Sequence, residues 1–168
     1  DWMINVIFAK NEPENRTLLL DAIQQKFDPH ALNYCINEKL NDSTFDQTFI
    51  SYKGNFEIQE ELNGLKFNIS PKSFFQTNPV QAEKLYQVAL DFAGITNSDV
   101  VYDLYCGTGT ITCLAASRAK KAIGVEIIDE AIQAAKINAS INKISNVGFL
   151  VGDMKDVFNP EFYAKHGN

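Results

Sequence analysis

Residues 100–112 read VVYDLYCGTGTIT, and this stretch decides the fold. Val100 to Tyr105 form a short apolar, β-branched and aromatic run, the pattern of a buried parallel strand. Cys106-Gly107-Thr108-Gly109 interrupts it. Helical spacing then resumes from Thr110 to Lys121, through Ile111, Leu114, Ala115 and Arg118. A strand, a glycine-rich turn and a helix N-terminus in succession predict a concavity of backbone N–H groups facing a ligand. Gly107 and Gly109, which lack a Cβ, are expected to let the backbone approach that ligand closely.

The next acidic residue narrows the ligand. Ala122 to Ile127 (AIGVEI) reads as a second buried strand with Glu126 near its end, nineteen positions after Gly107. A carboxylate there suits the two hydroxyls of a ribose, in a dinucleotide or in an S-adenosyl nucleoside. Two features favour the adenosyl nucleoside. The third glycine of a pyrophosphate-binding G-x-G-x-x-G would fall on Thr112, and Asp103 inside the strand suits the ammonium of a methionine moiety better than a phosphate.

Outward from this centre, Asp129 is expected to cap a helix reaching about Asn142, with Ile132, Ala135 and Ala139 as its inner stripe. Val147 to Val151 is a third strand, ending in Gly152-Asp153. Asp153 stands either where an adenine amino group would lie or as the N-cap of a helix from Met154, and Lys155 to Tyr163 begins a further element. Upstream, Pro79 opens a helix to about Ala93, ended by Gly94, with Ala82, Leu85, Ala89, Phe92 and Ala93 as its buried face. Ser70 to Asn78 (SPKSFFQTN) sets Phe74 and Phe75 beside the amides Gln76 and Asn78. That is either a linker whose aromatics pack between modules or a surface reading polar edges.

Residues 1–70 read as a small α+β module, and residues 71–168 as the N-terminal half of a larger α/β domain. Trp2 to Ala9 is strand-like, and a helix from Glu12-Pro13 carries Leu19, Leu20, Ile23 and Phe27 in one stripe until Pro29. The strand Ala31 to Asn37 places Leu32, Tyr34 and Ile36 on one face and Cys35 with Asn33 and Asn37 on the other, so burial of Cys35 is not secured. After a polar turn over Asn41 to Gln47, short strands at Thr48–Tyr52, Phe56–Glu60 and Leu65–Ile69 are joined by Lys53-Gly54-Asn55 and by Asn63-Gly64, a hairpin signal.

Composition sets bounds. The 168 residues are 45% hydrophobic, enough for a core, and carry a net charge of −6. Residues 1–70 hold eleven acids against six bases, and the remainder ten against nine. That balance opposes a dedicated RNA-binding module, because phosphate contacts need Lys and Arg. No apolar run approaches a membrane span and nothing resembles a signal peptide, so a cytoplasmic location without membrane partners is expected. Cys35, Cys106 and Cys113 lack metal-ligand spacing and read as free thiols, and no metal site is expected. His30 and His166 read as solvated surface residues.

SFFQTNPVQAEKLY (73–86), YDLYCGTGTI (102–111), GVEIIDEAIQAAKINA (124–139) and VGD (151–153), with ELNGLKFNISP (61–71) upstream, resemble the RNA uracil-5-methyltransferase family, the enzymes that make 5-methyluridine in tRNA and 23S rRNA. The glycine-rich turn is common to class I methyltransferases, whereas FFQTNP with YCGTGT is specific. The resemblance implies the first half of a class I S-adenosylmethionine-dependent, Rossmann-like sheet, strand order 3-2-1, preceded by the α+β module. It implies S-adenosyl-L-methionine as cofactor, contacted by Gln76, Tyr105 and Glu126, with Asp153 and Thr110 as secondary contacts and Asp103, Gly107 and Gly109 in the motif.

For the longer protein it implies methyl transfer to C5 of a uridine in rRNA or tRNA, with RNA and not DNA as partner and the target base flipped or unpaired. In that family a cysteine thiolate adds to C6, C5 becomes enolate-like, and a carboxylate removes the C5 proton. The resemblance puts that Cys and Glu after residue 168 and an RNA-binding barrel before residue 1. The chain, starting at Asp1, then reads as an excised fragment with no catalytic residue of its own. Cys106 and Cys113 lack an activating neighbour in sequence. Phe74 and Phe75 are expected to floor the space between base and cofactor, and the unpaired edge of the central strand is expected to favour self-association. Two alternatives stand beside this reading: a class I methyltransferase acting on nitrogen, and a cofactor-binding module without catalysis.

Overall fold

The computed structural model describes residues 1–39, 43–44 and 46–166; of Lys165 and His166 only the backbone is described. Asn41, Asp42 and Phe45 of the polar turn expected over Asn41–Gln47 lie outside the described residues, as does the side chain of His166; in the remainder Gln47 N–H donates to Thr44 O at 3.0 Å. Two compact units emerge. The first comprises Asp1–Glu60 with Asn68–Lys72, and the second Glu61–Phe67 with Ser73–Asn168.

In the first unit β1 (Met3–Phe8) and β2 (Ala31–Ile36) run parallel, joined by α1 (Pro13–Phe27), and β3 (Ile50–Gly54) pairs antiparallel with β2. The strand-helix-strand order is as expected, but its packing is not. Of the expected stripe on α1 only Leu20 is buried, while Leu19 and Phe27 are exposed. Polar contacts hold this helix instead: Arg16 lies over the Tyr34 ring at 5.0 Å and Tyr52 Oη donates to Asp21 Oδ1 at 2.7 Å. In β2 the more deeply buried face is the one carrying Asn33, Cys35 and Asn37, not the face of Leu32, Tyr34 and Ile36. The Asn33 amide nitrogen donates to Asn5 Oδ1 and Phe56 O, while its Oδ1 is buried without a hydrogen-bond partner among the described residues. Gly54 does not make a hairpin between β3 and the next strand. It ends β3 at φ +75°, where a Cβ would lie 2.3 Å from His30 O.

β4 (Ile58–Leu62) and β5 (Leu65–Ile69) form the predicted hairpin, with Asn63 and Gly64 both at positive φ (48° and 76°), as a two-residue primed turn requires. Residues 61–67 at its tip belong to the second unit. Leu62 and Phe67 are fully buried there in one cluster with Ala82, Cys113 and Ala139.

The remainder of the second unit is a parallel sheet in the order β8-β7-β6, with β6 (Val100–Leu104), β7 (Lys121–Glu126) and β8 (Val147–Val151). The 3-2-1 order is as expected. α3 (Thr110–Ala116) joins β6 to β7, and α4 (Asp129–Ile141) joins β7 to β8. α3 ends five residues earlier than its spacing predicts, because Lys121 already pairs with Val100 in the sheet. Ile132, Ala135 and Ala139 form the inner stripe of α4 as read from sequence, and buried Asn138 joins them. α2 (Pro79–Ala93) has the predicted limits, including the left-handed cap at Gly94 and a side-chain N-cap at Asn78. Its buried face is rotated from the expected one. Ala82 and Leu90 are buried, whereas Leu85 and Phe92 are 57% and 89% exposed and Ala89 and Ala93 are also outside. α5 (Met154–Val157) and α6 (Pro160–His166) close the chain, with Phe162 packed on Ile123 and Val125.

Candidate functional site

The turn from β6 into α3 carries three left-handed residues in five: Tyr105 (φ 63°), Gly107 (53°) and Gly109 (80°). Only glycine adopts this region freely, so Tyr105 stores about 1–2 kcal/mol of backbone strain. Its ring does not repay that strain by burial, being 74% exposed.

The turn's donors point inward. Cys106 N–H donates to Val125 O (3.0 Å), Gly109 N–H to Cys106 O (2.9 Å) and Gly107 N–H to Glu126 Oε2 (3.2 Å). Three N–H groups of the expected ligand-facing concavity are thus consumed by the protein itself. The glycines also differ in role. A Cβ on Gly109 would lie 2.9 Å from Ala135 Cβ and 3.0 Å from Phe149 Cε1, so this glycine lets α3, α4 and β8 close on one another. A Cβ on Gly107 would meet nothing within 4 Å, so of the two only Gly107 leaves room on the open side. Asn138, fully buried, donates to Thr108 O at 3.1 Å and props the turn from α4. Sequence reasoning passed over Asn138; the available signal was a polar residue within an apolar inner stripe.

Two carboxylates face this turn. Glu126, buried at the end of β7, accepts from Gly107 N–H through Oε2, and from Ile127 N–H (2.8 Å) and Ile128 N–H (3.2 Å) through Oε1. Asp103 pairs in register with Gly124 of β7 and accepts through Oδ2 from Thr112 Oγ1 at 2.5 Å. Burial pushes the Asp103 carboxyl above the usual carboxylate range. The Thr112 hydroxyl and N–H oppose that rise, and the Glu126 charge adds to it. Among the described residues neither carboxylate joins an ion pair.

The other residues singled out from sequence lie around this centre in different ways. Gln76, half-buried, hydrogen-bonds the Tyr86 hydroxyl, which itself feels the Asp103 charge. Tyr86 was missed because its partner Gln76 lies outside its own helix. Thr110 is buried as the first residue of α3. Asp153 caps α5 by accepting from Lys155 N–H (3.1 Å), and this bond first, then the pairing with Lys155 Nζ, holds its carboxyl below the usual range. Phe75, half-buried, packs against the core with its ring centroid 6.3 Å from that of Phe67, while Phe74 is exposed.

Cys106 and Cys113 are buried, and desolvation first, then the neighbouring carboxylates, pushes both thiols up to about 12. Both therefore stay protonated at neutral pH, unfit as nucleophiles. Cys35 is buried as well, with its thiol also raised. His30 is exposed but not isolated: Nδ1 accepts from Trp2 N–H and Nε2 lies 3.3 Å from Asp1 Oδ1. Among the described residues no cluster of His, Cys, Asp and Glu could hold a metal ion, and no helix is long and apolar enough to cross a membrane.

Residues 95–166 match a family described as a methyltransferase domain. Over 90% of its length the chain superposes on the Pyrococcus abyssi tRNA (uracil-54, C5)-methyltransferase in complex with S-adenosyl-L-homocysteine, with a TM-score of 0.68 and 27% identity, covering 36% of that chain. The fold is that of a class I S-adenosylmethionine-dependent methyltransferase. Proteins named as uncharacterized RNA methyltransferases are similar along the sequence. One from Porphyromonas gingivalis is 45% identical over 168 residues, and one from Bacteroides thetaiotaomicron 48% over 171. Each comparison takes in 99% of this chain but only 36% and 38% of the relative. The chain thus spans little more than a third of the length of these RNA methyltransferases.

Proposed function

We propose that this chain carries the cofactor-binding half of an S-adenosyl-L-methionine-dependent RNA methyltransferase, and that the longer protein methylates C5 of a uridine in rRNA or tRNA. The observation that carries the cofactor assignment is the pair Asp103 and Glu126. They are two shielded carboxylates without an ion-pair partner among the described residues, beside a turn that spends three of its N–H groups internally. Such a site repels a pyrophosphate and attracts a cation. It therefore favours a nucleoside bearing an ammonium over a dinucleotide.

In this reading Asp103 receives the amino-acid end and Glu126 the ribose hydroxyls through its remaining lone pairs. Gln76 and Tyr105 flank them, Gly107 gives the open side, Gly109 and Thr110 shape the turn, and Asp153 adjoins the base while capping α5. When bound, the cofactor supplies an electrophilic methyl group. The chain's own residues orient it. The C5 assignment draws on the FFQTNP and YCGTGT segments and on the likeness to the P. abyssi uracil C5 enzyme. All three cysteines are buried and protonated, so the nucleophile and base belong, in this reading, to the parts of the longer protein beyond these residues. RNA is the partner and the cytoplasm the location, and β6, paired with β7 alone among the described residues, is the edge through which the isolated chain would self-associate.

Calorimetric titration tests the cofactor. S-adenosylhomocysteine is expected to bind and NAD is not; the reverse order would end the proposal. For the reaction, the longer protein is given RNA tritiated at uridine C5. Release of tritium in step with methylation supports C5 transfer, and methylation without release assigns the transfer to another atom.

A further inference from the structure

Thr112 occupies the position that a dinucleotide turn gives to its third glycine. It is fully buried in α3, and both its polar hydrogens point to one place. The hydroxyl donates to Asp103 Oδ2 at 2.5 Å, and the backbone N–H also meets that carboxylate. The N-cap residue of α3, Gly109, has no side chain to satisfy the first turn. Asp103 on β6 therefore acts as a cap from outside the helix. Of the other groups near Asp103, Glu126 repels its charge, the Cys106 and Cys113 thiols stay neutral and offer no counter-charge, and the Cys106 thiol also meets the Thr112 hydroxyl. Thr112 is thus the principal group that fixes which way this carboxylate turns.

Resting on the cofactor reading above, we propose that Thr112 is a positioning residue. It ties down Oδ2 of Asp103 so that Oδ1 meets the ligand's ammonium, and it thereby sets the preference for ligands that carry the amino-acid chain over nucleosides that lack it. A charge-assisted contact depends steeply on direction, whereas the ribose contact at Glu126 is independent of Thr112.

The test compares two ligands on the 168-residue chain by calorimetry: S-adenosylhomocysteine, and 5′-methylthioadenosine, which has the same nucleoside without the amino acid. Thr112→Val keeps the shape and removes the hydroxyl. It is expected to weaken S-adenosylhomocysteine about tenfold, the size of one well-made hydrogen bond, and to leave methylthioadenosine within about twofold. Thr112→Ser restores the hydroxyl and is expected to recover most of the loss. Equal weakening of both ligands, or of neither, overturns the proposal. If Thr112→Val does not fold, Thr112→Ser still decides, because a ligand ratio that collapses in the serine variant contradicts a role carried by the hydroxyl. Failure of the unaltered chain to bind either ligand would instead bring down the cofactor reading itself, and this proposal with it.

Discussion

Of the parallel strand-helix-strand units in the molecule, β1-α1-β2 and β6-α3-β7 differ most, and only the latter of this pair contributes to the site. In β1-α1-β2 the fifteen-residue helix buries Leu20 alone and rests on its sheet through Arg16, Asp21 and two tyrosines. In β6-α3-β7 the seven-residue helix buries six residues. The difference begins at the turn. Gly109 has no Cβ to hold the elements apart, so α3 comes close enough for Thr112 to reach a carboxylate inside the strand. Close approach is therefore the condition for the site. Charge is buried in the second unit because the helix sits tightly on the strand, whereas the loosely seated α1 leaves its polar groups in water.

The sharpest way to break this contrast is Gly109→Ala. Left-handed strain and the clash with Ala135 and Phe149 together should cost about 3 kcal/mol or more, read as a lower urea midpoint for the second unit. Gly107→Ala, facing open space, should cost only the strain, about 1–2 kcal/mol. Next comes Glu126→Ala, which takes the acceptor from three backbone N–H groups at once. A stability loss of about 2 kcal/mol is expected, together with loss of S-adenosylhomocysteine binding by calorimetry.

Asp103→Asn should act in the opposite direction. Burial raises the folded carboxyl above its unfolded value, so the native protein loses stability as pH rises through that raised range. Asparagine keeps an acceptor for Thr112 and has no charge to bury. The variant should melt higher at neutral pH, with an advantage that vanishes below the ordinary carboxylate range, and should bind S-adenosylhomocysteine more weakly. Thermal melts across pH check both signs. Tyr105→Gly should release about 1 kcal/mol of strain while weakening ligand binding, since the exposed ring has little else to do. At the small end, Leu19→Ala on α1 should stay within about 0.5 kcal/mol of the unaltered chain. A larger loss would mean that α1 is seated more tightly than its exposed leucine indicates.

Legibility differed between the two units for a physical reason. Around the site, glycine and acid positions are dictated by backbone geometry within a few residues, so Asp103, Gly107, Gly109 and Glu126 could be picked out by spacing. Tyr86, Thr112 and Asn138 could not be read as site residues, because their partners lie on other elements. The buried faces of α1 and α2 were misread, and that of β2 was left open, for a related reason. An apolar stripe states which side could be buried, while the neighbour that covers it is set by packing. α2 accordingly presents Ala82 and Leu90 to the core and leaves Leu85 and Phe92 outside.

The sequence by itself determined the order of strands and helices, the limits of α2 and β8, the primed turn at Asn63-Gly64 and the family of ligands worth considering. These depend on local periodicity and on the few residues able to take positive φ. Only the tertiary structure decided that three of the turn's N–H groups are spent internally, that Gly109 lets α3, α4 and β8 close on one another, and that Asp103 is held by Thr112 with no ion-pair partner among the described residues. Those outcomes depend on how closely α3 and α4 approach the sheet, a distance fixed by contacts between residues far apart in the chain.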